Sequence, residues 1–296
     1  GNIQTPSSIA IAGSYAYVTA YSSNNIAVID ISKPKSLSAV SVFSTAGMGP
    51  TSIDISGGYA YVANYDNRSM SIIDISNPSS LSVVSTITIG TNPSSVDVSG
   101  KYAYVTNYSS STLSIIDISN PTKPTIASTT PVGSNPNSVA VSGRYAYVAN
   151  KGSNTMSVID ISNPSVPVAT SSVSISNAAY VVVSGRYVYV TTESNPGGIS
   201  VVDVSNPASP NVISYHQTGN SPTKVSISGR YLYIVNFITN TMLTYDIGGL
   251  ETTSALVHSL ETGNLHVRND ITTQGNLSLA GGLTISNGFQ SHNNSS

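Results

Sequence analysis

One pattern of about 43 residues occurs six times and constrains the fold more than any other feature of the sequence. Each copy contains a Gly-x-Tyr-x-Tyr segment and, further on, an Asp that ends an apolar run. The glycines are Gly13, Gly57, Gly100, Gly143, Gly185 and Gly229. The aspartates are Asp30, Asp74, Asp117, Asp160, Asp203 and Asp246, in steps of 44, 43, 43, 43 and 43 residues. A fixed period of this length, filled by short strands, predicts a repeat architecture.

The copy from Gly100 to Pro121 shows how one repeat is built. Two alternating segments, Tyr102–Asn107 and Leu113–Ile118, predict two strands, since β-branched and aromatic residues suit a pleated surface. A short apolar strand precedes the glycine, and a looser fourth strand follows the Asn-Pro turn. Four antiparallel strands in about 43 residues are typical of one blade of a β-propeller.

The predicted fold class is therefore all-β, a six-bladed β-propeller of four-stranded blades with a short C-terminal β-rich extension. The propeller is predicted over residues 1–259, with repeats near 6–49, 50–92, 93–135, 136–177, 178–221 and 222–259. An open β-solenoid is the alternative, but its coils are shorter and lack a repeated tight glycine hairpin.

Composition excludes several classes of function. Only 8% of the 296 residues are charged and the net charge is −2, so no basic field predicts nucleic acid as a partner. No apolar run approaches the ~20 residues of a membrane span. Cysteine is absent, which excludes disulfides and thiolate metal sites.

Several segments resemble known repeat families. Tyr104-Val105-Thr106-Asn107 has the sequence of the YVTN signature, and Ser71-Ile72-Ile73-Asp74 resembles the centre of the LVIVD-type repeat. On these motifs, residues 6 to about 250 resemble YVTN- and LVIVD-type propellers found on microbial and viral surfaces. The resemblance implies a propeller and an extracellular, cell-surface or virion-surface location, but no reaction, because those families are functionally mixed.

The sequence changes character after Asp246. Residues 254–259 are predicted to supply the outer strand of the sixth blade, while residues 260–296 follow a shorter Gly-x-Leu-x-Val pattern that resembles the β-stalks of fibre proteins. Such alternating strands with free edges predict self-association into an oligomer or filament. The candidate assembly residues are Leu265, Val267, Leu277, Leu279, Leu283 and Ile285. A tail docked locally on its own propeller is the alternative.

A candidate ligand face comes from the loops between the second and third strands of the blades. Aligned repeats place Tyr21, Tyr65, Tyr108, Lys151, Glu193 and Phe237 at one position, and Asn64, Asn107, Asn150 and Asn236 precede four of them. Aromatic rings stack on the apolar faces of sugars and amides bind hydroxyls, so the face predicts a glycan or surface-protein partner. Rings that only cover the loop bases are the alternative.

Two acidic residues break the apolar pattern of the innermost strands. Asp54 and Asp97 stand where other repeats have Ala10, Ala140, Val182 and Ser226. Carboxylates on adjacent blades could bind a hard cation such as Ca²⁺, or accept hydrogen bonds from neighbouring backbone. The four histidines follow no metal-binding spacing, so no other cofactor is predicted.

Five Asn-x-Ser sequons are candidates for glycosylation in a source with that machinery. They begin at Asn67, Asn107, Asn276, Asn293 and Asn294.

Low charge, the absence of cysteine and the C-terminal strands favour a non-enzymatic structural or adhesive subunit of an extracellular appendage. A carbohydrate- or protein-binding propeller that uses the Tyr/Asn face is the alternative. A hydrolase or lactonase, a common occupation of propellers, is the third hypothesis and would use Asp54 and Asp97.

Overall fold

A computed structural model describes residues 4–45 and 49–247, which form 23 strands in six antiparallel sheets. The first two blades are β1 (Pro6–Ala12), β2 (Tyr15–Ala20), β3 (Asn25–Asp30) and β4 (Ser38–Ser44), then β5 (Pro50–Ser56), β6 (Tyr59–Asn64), β7 (Ser69–Asp74) and β8 (Ser82–Thr88). The third and fourth are β9 (Pro93–Ser99), β10 (Tyr102–Asn107), β11 (Thr112–Asp117) and β12 (Thr125–Pro131), then β13 (Pro136–Ser142), β14 (Tyr145–Asn150), β15 (Thr155–Asp160) and β16 (Val168–Ser174). The last two are β17 (Ala178–Ser184), β18 (Tyr187–Thr192), β19 (Gly197–Asp203) and β20 (Asn211–Gly219), then β21 (Pro222–Ser228), β22 (Tyr231–Asn236) and β23 (Thr241–Asp246).

Each sheet is a meander in which strands adjacent in sequence pair with each other. The first strand of every blade packs against the first strand of the next, in the order β1, β5, β9, β13, β17, β21. These six are the inner strands. The prediction of a six-bladed propeller of four-stranded blades is confirmed, with three strands of the sixth blade in the described residues. The described part contains no helix, and so none that could cross a bilayer.

The hairpin that opens each blade depends on its glycine. Gly100 follows β9 with φ +59°, a left-handed backbone conformation that residues with a Cβ rarely adopt. The five glycines at the same position of the other blades have φ between +56° and +58°. The recurring glycine therefore sets the tight return from inner to second strand.

The apolar core lies between the blades rather than within them. Five clusters of buried side chains fill the five boundaries between successive blades. At the boundary of the second and third blades, Tyr61, Met70 and Ile72 pack against Val96 and Val105. Both faces of the four middle sheets are thus buried, which explains why apolar residues alternate with small or aromatic residues and not with charges.

The outward faces of the first and last blades differ from this pattern. Ile9 and Ile11 on β1 are 61% and 63% exposed, and Met242 on β23 is 65% exposed. At the position equivalent to Met242, Met70 and Met156 are fully buried. These end faces carry core-type residues that the described chain leaves open to solvent.

The aspartate that ends the third strand shapes the turn that follows. Oδ1 of Asp74 accepts a hydrogen bond from the N–H of Ser76 at 2.8 Å, and four other blades repeat this contact at 2.8–2.9 Å. These bonds lower the pKa of the Asp74 carboxyl. The recurring carboxylates are turn caps.

A second set of bonds joins the blades near their outer edges. Oγ of Ser85 in β8 donates to the carbonyl of Pro121 in the next blade at 2.6 Å. Ser41, Ser128 and Ser171 donate in the same way to Pro78, Pro164 and Pro207, at 2.6–2.7 Å. We call these four contacts the serine–proline bridges.

The predicted outer strand of the sixth blade at residues 254–259 lies outside the described residues. So do the predicted extension 260–296 and all six candidate assembly residues, which therefore stay predictions.

Candidate functional site

The inner strands present a repeated polar position towards the next blade. The hydroxyl oxygen of Ser52, third residue of β5, accepts the N–H of Val96 in β9 at 3.1 Å. Ser95 and Ser138 do the same for Val139 and Val181, at 3.4 and 3.3 Å. These hydroxyls satisfy backbone donors that antiparallel pairing within one blade cannot reach.

Asp54 and Asp97 lie two residues further along the same strands and make the corresponding contacts through carboxyl oxygens. The N–H of Val98 donates to Oδ2 of Asp54 at 2.7 Å, and that of Ile55 donates to Oδ1 at 2.8 Å. The N–H of Val141 donates to Oδ2 of Asp97 at 2.6 Å. Both residues are half-buried.

The two carboxyl groups lie close enough for each to shift the pKa of the other. Desolvation by burial is the largest cause that raises the pKa of both groups. The charge and the hydrogen bond of Asp54 raise the pKa of Asp97 further, to about 7, against the N–H donors that lower it. Two like charges this close disfavour each other's ionised form, so the two carboxyls titrate as a coupled pair.

The pair does not supply a calcium site of ordinary composition. Ca²⁺ takes six to eight oxygen ligands, whereas the neighbours of these carboxyls are backbone N–H donors. Within residues 4–45 and 49–247, no three Asp, Glu, His or Cys side chains are grouped to hold a metal ion. The set fits proton transfer better than cation binding.

The Tyr positions form one structural rim, with one member per blade immediately after the second strand. The N–H of Tyr65 donates to the carbonyl of Gly49 at 2.8 Å, which ties this loop to the loop that enters the blade. The same bond recurs for Tyr21, Tyr108, Lys151, Glu193 and Phe237, at 2.8–3.1 Å. The rim therefore lies at the end of the propeller where the inner strands begin.

Neighbouring members of the rim contact each other. The ring centroids of Tyr21 and Tyr65 are 6.3 Å apart, edge to face, and those of Tyr65 and Tyr108 are 6.5 Å apart. Nζ of Lys151 lies 2.7 Å from Oε2 of Glu193. Phe237 is 71% exposed. The rim thus has an aromatic arc over the first three blades and an ion pair beyond it.

The asparagines predicted beside the rim lie beneath it. Asn64, Asn107 and Asn150 are fully buried and Asn236 is 1% exposed. Nδ2 of Asn107 donates to the hydroxyls of Thr112 and Ser114 at 3.0 and 2.9 Å. These amides support the loop from below and are not available to a ligand at the surface.

The same burial bears on the sequons. Asn67 is exposed on its loop, whereas the amide nitrogen of Asn107 is occupied by the hydrogen bonds just described. Asn276, Asn293 and Asn294 lie outside the described residues.

Sequence reasoning missed a contact on the inner strands of the last two blades. Tyr180 in β17 and Lys224 in β21 stand at the position that is serine in the first four blades. Nζ of Lys224 lies 4.0 Å from the centroid of the Tyr180 ring. The signal was present in the sequence as two departures from the repeat at adjacent blades.

The profile of the LVIVD repeat matches residues 5–45, 50–88, 90–130, 134–174, 176–218 and 221–244. The chain belongs to the LVIVD repeat family. No curated protein matches the chain.

Solved structures with the same fold include several named for sugar lactones. A candidate 6-phosphogluconolactonase from Bacteroides uniformis matches with a TM-score of 0.74 and 17% identity over 81% of this chain and 80% of its own. Its counterpart from Bacteroides fragilis has a TM-score of 0.72, 18% identity and coverages of 81% and 80%. A periplasmic gluconolactonase from Pseudomonas aeruginosa has a TM-score of 0.69, 18% identity and coverages of 81% and 81%.

These neighbours contradict the prediction of a non-enzymatic structural or adhesive subunit, and with it the prediction that the chain is not an enzyme. The low charge that suggested a fibre protein has another cause, because both faces of most blades are buried against neighbours. Identities of 17–18% show the shared fold alone. The activity is therefore argued from the residues of this chain.

Proposed function

We propose that this protein is a hydrolase that opens a lactone ring, with the carboxyl groups of Asp54 and Asp97 as its acid–base pair. The observation that carries the proposal is the placement of two half-buried carboxyls on adjacent inner strands, where burial raises the pKa of both. Perturbed pKa values of this kind concentrate at catalytic sites. The names of three structural neighbours support the choice of a lactone among the esters.

The proton bookkeeping of the reaction fits a pair that holds one proton. Asp54, as the carboxylate, removes a proton from water as the water oxygen bonds to the lactone carbonyl carbon. Asp97, as the acid, gives its proton to the ring oxygen when the bond between carbonyl carbon and ring oxygen breaks. The product is a hydroxy acid, which ionises in solution. The proton that Asp54 gained from water passes to Asp97, which returns the pair to its starting state.

The aromatic arc gives a route by which a sugar-derived lactone reaches the pair. Asp54 is four residues along β5 from Pro50, which pairs with the last residue of β6 just below Tyr65. At ~3.3 Å per residue, the carboxyls lie roughly 13 Å from the rim. Tyr65 and Tyr108 offer ring faces and hydroxyls at the entrance, as carbohydrate sites commonly do.

A lactone hydrolysis assay tests the proposal. Hydrolysis of glucono-δ-lactone and 6-phosphogluconolactone is measured above the uncatalysed rate in the same buffer. We expect catalysis by the unmodified chain and a loss of about 100-fold or more in Asp54→Asn and Asp97→Asn. Asp117→Asn is the matched control, since this carboxyl caps a turn and is expected to keep full activity. Full activity in both Asp54→Asn and Asp97→Asn, or no catalysis by the unmodified chain with either substrate, would overturn the proposal.

Location, oligomeric state and partners are proposed from the sequence. We propose an extracellular or surface location, self-association, and a glycan or surface-protein partner on the strength of the sequence alone. Light scattering of the full chain tests self-association, and a concentration-independent monomer would contradict it.

A further inference from the structure

The third position of the inner strands changes character between the fourth and fifth blades. Ser8, Ser52, Ser95 and Ser138 occupy it first, and Tyr180 and Lys224 follow. Among the serines, Ser52, Ser95 and Ser138 accept an N–H from the next blade, so this position has a structural role in a regular blade. Departures from a repeat at the cost of such contacts are expected at functional sites.

Lys224 is the one basic residue on the six described inner strands, as Asp54 and Asp97 are the two acidic ones. Its ammonium group lies over the ring of Tyr180, and both residues are half-buried. Arg144, Lys151, Arg186 and Arg230 form ion pairs within the described chain, and Lys224 does not. Lys224 therefore carries its charge on an inner strand with an aromatic ring as its neighbour and no carboxylate among the described residues.

A partly desolvated ammonium group is stabilised by a ring face, but it retains donors that a ring cannot satisfy. An oxyanion would satisfy them and would neutralise the charge. The ring beside it offers packing for the apolar face of a sugar.

We propose that Lys224 and Tyr180 form an anion-binding subsite that takes the carboxylate or phosphate of a sugar acid. This inference rests on the proposed lactonase function for its choice of sugar acids. Lys224 binds the oxyanion, while Tyr180 holds the ammonium group in place and packs on the ligand. The shared chemistry is an oxyanion carried on a polyhydroxylated chain, and its two sources are a phosphate ester and a carboxylate.

Direct binding of the stable product acids tests the subsite without any turnover. Calorimetric titrations of gluconate and of 6-phosphogluconate compare the full chain with its Lys224→Met, Lys224→Arg and Tyr180→Leu variants. We expect Lys224→Met to weaken binding about tenfold or more, and Lys224→Arg to retain most of it because the charge is kept. Binding of the phosphate ester alone would assign the subsite to phosphate, whereas equal binding of both acids would assign it to carboxylate.

Lys101→Met is the matched control, because Lys101 also lies over a tyrosine, with Nζ 5.6 Å from the Tyr102 centroid, but on an exposed hairpin. It is expected to bind like the unmodified chain. Unchanged binding in Lys224→Met, an equal loss in Lys101→Met, or no binding of either acid by the unmodified chain would overturn the subsite. Binding that depends on Lys224 without lactone hydrolysis would reject the proposed reaction and keep the subsite. Lactone hydrolysis that is unchanged by Lys224→Met, without binding that depends on Lys224, would keep the reaction and reject the subsite.

Discussion

Ile9 and Ile53 occupy the same position of the repeat, yet Ile9 is 61% exposed and Ile53 is 5% exposed. Ile53 packs in the cluster between the first two blades, where Tyr17 and Val28 cover it. Ile9 points to the side of the first blade that no cluster of the described residues covers. Isoleucine at the same strand position is therefore exposed in the first blade and buried in the second. The two residues give a matched test of how much packing between blades stabilises the fold.

Replacement of Ile53 by Ala is expected to lower the free energy of unfolding by about 2–4 kcal/mol, because it opens a cavity in a closed core. Ile9→Ala should change it by less than about 0.5 kcal/mol, as is usual at exposed sites. Urea denaturation followed by circular dichroism measures both. Similar losses for the two variants would mean that Ile9 is covered in solution.

Gly90, in the loop between β8 and β9, is expected to tolerate no side chain because the last residue of β10 lies against it. A Cβ at Gly90 would stand 2.5 Å from Cγ of the buried Asn107. Gly90→Ala should therefore destabilise the fold by about 1–3 kcal/mol, a cost typical of overpacking. Thr91→Ala, at the adjacent residue, is the control.

The double variant Gly90→Ala/Asn107→Gly isolates this contact, because it removes the Cβ, Cγ and Nδ2 atoms of Asn107 that the new methyl group would meet. It should be less destabilised than the sum of its single variants. Additive losses in thermal unfolding would assign the cost of Gly90→Ala to the backbone instead.

Stability should fall as pH rises from about 4 to about 7, and Asp97 is the cause. The unfolded chain loses this proton near the ordinary pKa of Asp, whereas the folded chain keeps it up to about pH 7. The folded state binds more protons across that window, so the slope of unfolding free energy against pH is negative there and levels off above it.

Asp97→Asn should remove this slope and make the protein more stable by about 1–3 kcal/mol at pH 8, since an amide oxygen can accept the N–H of Val141 without ionising. Denaturation midpoints between pH 4 and pH 8 check it. A slope that persists in Asp97→Asn would contradict the assignment. In the proposed reaction, the rate should also fall above pH 7 as the acid form of Asp97 is lost.

The turn-capping carboxylates should act in the opposite sense at low pH. Hydrogen bonds from Ser119 lower the pKa of Asp117, and those from Arg144 and Ser162 lower the pKa of Asp160 to about 2. Their stabilisation is present above the unfolded pKa and is lost as pH falls through the folded one. Asp117→Ala should reduce the thermal midpoint at pH 7 and leave it unchanged at pH 2. An equal loss at both pH values would show that the stabilisation does not depend on ionisation of the Asp117 carboxyl.

The repeat spacing was enough to predict the blades, because each strand and its hairpin glycine recur at fixed positions. It also brought out Asp54 and Asp97 as departures at one inner position. The raised pKa values of these two carboxyls could not be predicted from spacing, since they depend on burial and on the N–H donors of the following blade.

The prediction for Asn64 and Asn107 did not anticipate their burial. Sequence placed both beside exposed loop residues, yet their side chains turn inward to serine and threonine hydroxyls. Within a strand, alternation determines which face of the sheet a side chain lies on. At the last residue before a loop, the conformation of the following turn determines whether a polar side chain is buried under the loop or exposed beside it.

The serine–proline bridges have a consequence for how such a chain can change its length. Each joins a hydroxyl of one blade to a backbone carbonyl of the next, so the second to fifth blades all offer the preceding blade the same acceptor. Recombination between two repeats in the gene would remove or duplicate one whole blade and still leave each surviving serine opposite a proline carbonyl. A single genetic step can therefore change the number of blades and keep the serine–proline bridges between the remaining ones.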